Sequence, residues 1–456
     1  MQQDLTQGSI TARLLGIAAF IMVGLVFQTM YFLVDLYFVA SLGPAAIAGV
    51  GLAGNAFFLT LALSQMVGVG SLSLIARSIG AKAPKQAEAV YRQAIILSLG
   101  LAALTLIVGY LIAERALGVI ASDAATLAMG KAYLFGFLPA LALSFPTNAM
   151  GSALRAAGVV KPTMVIQAGT VILNMVLAPV LIVGWGSGIP LGVFGAGLAS
   201  SIAAAVGFLA ALWIFGRVQN VISHPLKLFR PNWAITRRIV GIGLPTAGEF
   251  LLMFVITGVV YAVIRNFGSE AQAGYGVGSR VMQAIFLPAM AVSFAVAPVA
   301  GQNFGAGLPD RVRQTVRDAA IISSGLMLAL TLVCQIWSEA MIGLFAHDPN
   351  VVEVGSVFLR IISLNFLSTG IIFVASGAFQ ALGDTRPALW GSVSRLVTFA
   401  GPAIWLSNQP WATLEQVWWL SAGSVALHAG VALYLLQGQL KSKLGAIAAP
   451  ASALSG

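Results

Sequence analysis

Apolar residues run along this chain in long blocks, broken by short polar stretches, and polar side chains inside the blocks are few. The blocks predict helical spans near 13–39, 45–75, 91–113, 130–154, 160–184, 190–216, 238–263, 271–300, 317–338, 354–380, 388–407 and 414–437. Each is close to the ~20 residues that cross the hydrocarbon core of a bilayer. Residues 162–216 contain no charge at all, and GWGSGIPLG at 184–192 reads as the turn between two spans. Between Arg13 and Arg77 the only charge is Asp35.

Composition agrees. The chain has 456 residues, 59% hydrophobic and 8% charged, against about 25% charged in soluble domains. Mean hydropathy is +0.94. The fold class expected is therefore an all-α membrane protein of twelve transmembrane helices. The single cysteine, Cys334, excludes an internal disulfide. His224, His347 and His428 lack metal-ligand spacing, so no metal is expected. No phosphate-cradling G-x-x-x-x-G-K-[ST] loop is present, and no Ser/His/Asp set lies in the spans. An enzyme is not expected, nor is a cofactor.

The net charge of +10 has its source in topology. With the N-terminus in the cytoplasm, most Lys and Arg collect on that side, including Arg77, Lys82, Lys85, Arg92, Arg311 and Arg313. The other side carries Glu114, Asp123, Glu270, Glu339, Asp348, Glu353 and Glu415. Cytoplasmic termini are expected, with lipid and not nucleic acid as the macroscopic partner, and a monomeric chain. The first span, holding Asp35, is read as retained and not as a cleaved leader.

The chain also repeats. GAKAPKQAEAVYRQA (80–94) matches GAGLPDRVRQTVRDA (305–319) at an offset of 225, and LRAAGVVKP (154–162) matches FQALGDTRP (379–387) at the same offset. Gly43 with Gly268 and Gly49 with Gly274 share it. A duplication follows, with six spans in each half. Because six is even, the halves enter the membrane from the same side, as parallel repeats. The expected organisation is a lobe over 1–216, a basic linker over 217–237, a second lobe over 238–440 and a cytoplasmic tail over 441–456.

Inside the spans the informative residues are acids. A carboxylate in hydrocarbon costs on the order of 3 kcal/mol by insertion scales and persists where it faces a partner or water. Gln28, Tyr31 and Asp35 follow at spacings of three and four, on one helical face. Glu249 is the second such acid, in the seventh span after Pro245. Asn148 and Asn174 are cavity candidates or interhelical hydrogen-bonding groups. Tyr133 in the first half and Gln283, Asn365 and Arg395 in the second complete the candidates. Arg395 is open to two readings, a pair with Glu249 or service to a carbonyl-rich pocket.

Four segments carry a family resemblance: VDLYFVASLGPAAIAGVGLA (34–53), LIARSIGAKAPKQA (74–87), VAGQNFGAGLPDRVR (299–313) and GAFQALGDTRP (377–387). In that order they resemble the multidrug and toxic compound extrusion family, the MATE transporters, and within it the bacterial and archaeal DinF-type branch, which implies a bacterial inner membrane. The resemblance implies two six-helix lobes with a central cleft, and export of organic cations and drugs in exchange for protons or sodium ions. It implies a coupling role for Asp35, in the Q-x-x-Y-x-x-x-D pattern of Gln28, Tyr31 and Asp35, with Asn148 and Asn174 nearby. Glu249 resembles a second-lobe acid of sodium-coupled members. One departure stands out. Where the branch has an acid in the fifth span, LNMVLAP places Ala178. Proton antiport is therefore the expected coupling, with sodium coupling, or export of lipid-linked or anionic metabolites, as the alternatives.

Overall fold

The computed structural model describes residues 4–121, 123–186, 188–217 and 231–452. Among them the regular structure is helical: α1 (Ile10–Ala40), α2 (Pro44–Gly80), α3 (Pro84–Ile120), α4 (Ala124–Ala156), α5 (Lys161–Ile182), α6 (Gly192–Arg217), α7 (Trp233–Ile264), α8 (Ser269–Gly305), α9 (Pro309–Gly343), α10 (Pro349–Ser363), α11 (Phe366–Leu382), α12 (Arg386–Ser407) and α13 (Leu414–Ser452). Ten are long and apolar enough to cross a membrane, eleven with α10 and α11 counted as one span. Large apolar side chains such as Leu111, Val119 and Tyr434 are more than 70% exposed, as a lipid-facing surface requires. Prolines open α2, α3, α5, α9, α10 and α12, where the missing N–H has no helical partner to lose.

The predicted span at 354–380 carries a break. It is two helices, α10 and α11, bent by 55°. No proline lies at the break. Side chains of α9 take up the freed carbonyls instead. Thr331 Oγ1 donates to Ser363 O at 2.8 Å, and Gln335 Nε2 donates to Arg360 O at 2.7 Å. Proline does act in α4. Pro139 cannot donate to Phe135 O, which accepts from Tyr110 Oη at 3.1 Å. Ser201 Oγ donates to Gly136 O at 2.6 Å beside it.

The duplication is visible in the backbone. Gly43 and Gly268 precede α2 and α8 with nearly identical angles, φ 103°, ψ 176° and φ 98°, ψ 176°. A side chain there is strained. Gly49 and Gly274 each lie against a backbone nitrogen 225 residues apart. A Cβ on Gly49 would sit 2.6 Å from Gly130 N, and one on Gly274 3.0 Å from Gly355 N.

By contacts the chain forms two compact units, Val23–Ala247 and Gly248–Gly456, the latter joined by Leu5–Met22. In the first, α4 packs on α2, α3 and α6. In the second, α8 packs on α9, α10 and α11. α1 and α7 each divide between the units, after Met22 and after Ala247. Of the predicted linker, 218–230 lie outside the described residues, and α7 has begun by Trp233. At the other end α13 continues through the expected tail to Ser452, with 453–456 outside the described residues.

The conspicuous GQNFGAGLPDRVR motif has a structural task in the second unit. Gln302 Oε1 accepts from Leu5 N at 3.2 Å, and Asn303 Nδ2 donates to Leu5 O at 3.1 Å. Arg311 donates to Asn303 Oδ1 at 2.9 Å and to Gly8 O at 3.0 Å. The motif thereby anchors the segment ahead of α1.

Candidate functional site

The first unit gathers four of the ten predicted polar residues, Tyr31, Asp35, Tyr133 and Asn174, toward one end of α1. Asp35 is 6% exposed. Its Oδ2 accepts from Tyr133 Oη of α4 at 3.5 Å, a long and therefore weak bond. Its Oδ1 is buried without a hydrogen-bond partner. One turn earlier, Tyr31 Oη bonds Ser200 Oγ of α6. Ser200 Oγ also accepts from Asn174 Nδ2 of α5 at 3.3 Å. Asn174 is fully buried, and its Oδ1 has no partner. Four helices thus converge on a polar patch within an apolar cluster that includes Val39, Phe137 and Leu138.

Among the described residues no cation neutralises Asp35. The ion pairs seen are Arg92–Glu88, Lys131–Glu114, Arg313–Asp310 and Arg360–Glu339. The place opposite, one turn beyond Asn174, is filled by Ala178, fully buried in the same cluster as Tyr133. The patch therefore offers one carboxylate, two phenols, one hydroxyl and one amide, with two acceptor oxygens left open. Such a set can hold a proton, or the charged nitrogen of a cation, at Asp35.

Among the hydrogen bonds described, the other candidates make none to this patch. Asn148 joins α4 to α2, donating to Ser64 O and Ser64 Oγ at 3.0 Å and to Gln65 Oε1 at 3.2 Å. Its bonds are those of an interhelical clamp. Gln28 is half-buried on α1. In the second unit Glu249 Oε2 accepts from Ser376 Oγ of α11 at 3.5 Å. Asn365 sits at the α10–α11 break, 6% exposed, its Nδ2 unpartnered. Gln283 is exposed on α8. Arg395 forms no ion pair with Glu249; its electrostatic neighbours are Tyr275 and His428.

Sequence reasoning missed Ser200, which bridges Tyr31 and Asn174, and Ser376, which meets Glu249. Serines inside apolar helices are common, and only the helix crossings distinguish these two. The faint signal for Ser200 is its place in the charge-free interval, next to a second serine.

Comparison with known proteins bears on the family and the fold. The MatE family model matches the chain twice, over residues 21–180 and 245–403. The multidrug export protein MepA of Staphylococcus aureus (strain MRSA252) is 26% identical over 426 residues, 92% of each chain. The probable multidrug resistance protein YpnP of Bacillus subtilis (strain 168) is 27% identical over 424 residues, 91% of this chain and 90% of its own. Among solved structures, an outward-facing multidrug resistance MATE family transporter of the MOP superfamily superposes with a TM-score of 0.89 at 24% identity, covering 96% of this chain and 98% of its own.

Proposed function

The chain belongs to the MatE family of membrane transporters, and we propose that it is a multidrug exporter that expels organic cations in exchange for protons bound at Asp35. The observation that carries this reading is the state of that carboxylate: buried in a membrane helix, held by one long bond from Tyr133 and matched by no cation of the described residues. The export activity named for MepA and YpnP supports the cargo class.

The coupling rests on competition for one charge. Low-dielectric surroundings penalise the anion, so a proton arriving from outside is readily taken up. Protonation removes the attraction for a bound cation and favours its release. Cytoplasmic substrate, in turn, favours the ionised form. Alternating exposure of Asp35 to the two sides of the membrane makes the fluxes obligatory partners. Tyr31, Tyr133, Ser200 and Asn174 serve as the neutral donors and acceptors that reorganise when the proton moves. The single carboxylate, with Ala178 where a second would stand, favours a proton over sodium as coupling ion.

The test is ethidium efflux from proteoliposomes under an imposed pH gradient. Asp35→Asn is expected to abolish gradient-driven efflux while the protein remains folded and monodisperse. Efflux at the wild-type rate in that variant overturns the proposal.

A further inference from the structure

The second unit holds a further charge without an ion pair among the described residues, and it has the opposite sign to Asp35 and Glu249. Arg395 sits in α12, half-buried, with its Nε buried and without a hydrogen-bond partner. No carboxylate of the described residues forms an ion pair with it. A guanidinium inside a membrane protein is costly unless something answers its charge. Tyr275 of α8 stands within electrostatic reach, but a phenol is a weak answer.

His428 of α13 stands beside it. The ring is 5% exposed, and its Nδ1 is buried without a partner. Gly391, one turn before Arg395 on α12, makes room for it. A Cβ on Gly391 would lie 2.6 Å from His428 Nε2. Two nitrogen-bearing side chains from adjacent helices therefore have unmet hydrogen-bonding capacity in one region. On the Tyr275 side of Arg395 the unit is apolar and aromatic. The Tyr275 ring stacks on Trp418 at 5.7 Å and meets Phe358 edge-on at 5.2 Å. Phe399, one turn beyond Arg395, is buried in the same cluster, with Leu396 packed against it.

We propose that Arg395 and His428 form an anion site in the second unit, which takes the carboxylate of an organic acid carried on an apolar body. The fork of the guanidinium matches two carboxylate oxygens, and the imidazole N–H supplies a further donor. The apolar surroundings favour an organic anion over a strongly hydrated inorganic one. The site widens the cargo from cations to organic acids and zwitterions. It belongs to the other unit from Asp35, and its test reads binding alone, so proton coupling can fail without touching it.

The experiment is isothermal titration calorimetry of the full chain in detergent with 2-naphthoate and with its neutral isostere 2-naphthamide. The wild type is expected to bind the carboxylate about tenfold more tightly than the amide, the scale of one charge-assisted hydrogen-bonded pair. Arg395→Gln is expected to reduce naphthoate to the affinity of the amide. Arg395→Lys, which keeps the charge and loses the fork, falls between, and His428→Gln weakens the carboxylate alone. Folding of each variant is checked by size-exclusion profile and thermal unfolding. Where Arg395→Gln does not fold, the Lys and His428 variants decide. Equal affinities for the two probes in the wild type, absent naphthoate binding, or unchanged naphthoate affinity in folded variants overturn the site.

Discussion

Asp35 holds its place against a desolvation cost because Tyr133 meets one oxygen and Tyr31 stands one turn away, tied to Ser200 and Asn174. The Tyr133 bond is long, so its loss should cost little stability, about 1 kcal/mol or less. Tyr133→Phe is accordingly expected to unfold within a few degrees of the wild type while slowing pH-driven efflux several-fold, because the group that steadies the carboxylate is gone. Paired thermal-unfolding and efflux measurements check it. Ala178 supplies a sharper test. It is fully buried where a second acid would face the patch. Ala178→Asp places an unpaired carboxylate among apolar atoms, at a cost of about 3 kcal/mol. A cation bound by both acids would return much of it by mass action. The variant is expected to melt lower than the wild type in choline chloride and to recover in sodium chloride, with no sodium-specific shift in the wild type. Asp35 itself was legible in the sequence, as the one charge between Arg13 and Arg77. Its partners were only half legible. Tyr31 and Asn174 stood out as polar groups in apolar spans, but Ser200 joins them only through the crossing of α5 and α6. Asn148, equally conspicuous, turned inward to α2 instead.

At the scale of elements, helix type and order followed from apolar block length, and the bend between α10 and α11 did not. No proline or glycine marks residues 363–366, and the cause lies on another helix, in Thr331 and Gln335 of α9, whose bonds hold the end of α10 open. Thr331→Val keeps shape and removes one donor from a buried carbonyl. It is expected to cost about 1–2 kcal/mol, read as a lowered unfolding temperature of the purified protein. The two turns ahead of α3 and α9 give a second comparison. Lys82 adopts φ 53°, and its counterpart 225 residues on is Gly307 at φ 71°. An L-residue in the left-handed region costs roughly 1 kcal/mol that glycine avoids. Lys82→Gly is therefore expected to raise the unfolding temperature slightly and Gly307→Ala to lower it. Opposite signs from two turns of one shape would show that backbone strain, and not the lost side chain, sets the outcome.

The whole molecule is a duplicated scaffold carrying unduplicated chemistry. Turn angles and close helix approaches recur at an offset of 225, and the family model matches once in each half. The charged groups inside the spans do not recur: Asp35 corresponds to Val260, Glu249 to Gly24 and Arg395 to Thr170, whereas charges near helix ends do, as Glu114 with Glu339 and Asp123 with Asp348. Packing constrained both copies alike, whereas each unit acquired its own polar groups. If the first unit alone couples transport to protons, the acid of the second should modulate the cycle without driving it. Glu249 fits that part, meeting only Ser376 at 3.5 Å among the bonds described. Glu249→Gln is then expected to slow pH-driven ethidium efflux a few-fold, whereas Asp35→Asn abolishes it. A sodium gradient imposed without a pH gradient is expected to drive none in either protein or in the wild type. Sodium-driven efflux that survives Asp35→Asn and disappears in Glu249→Gln would move the coupling to the second unit and reverse the assignment.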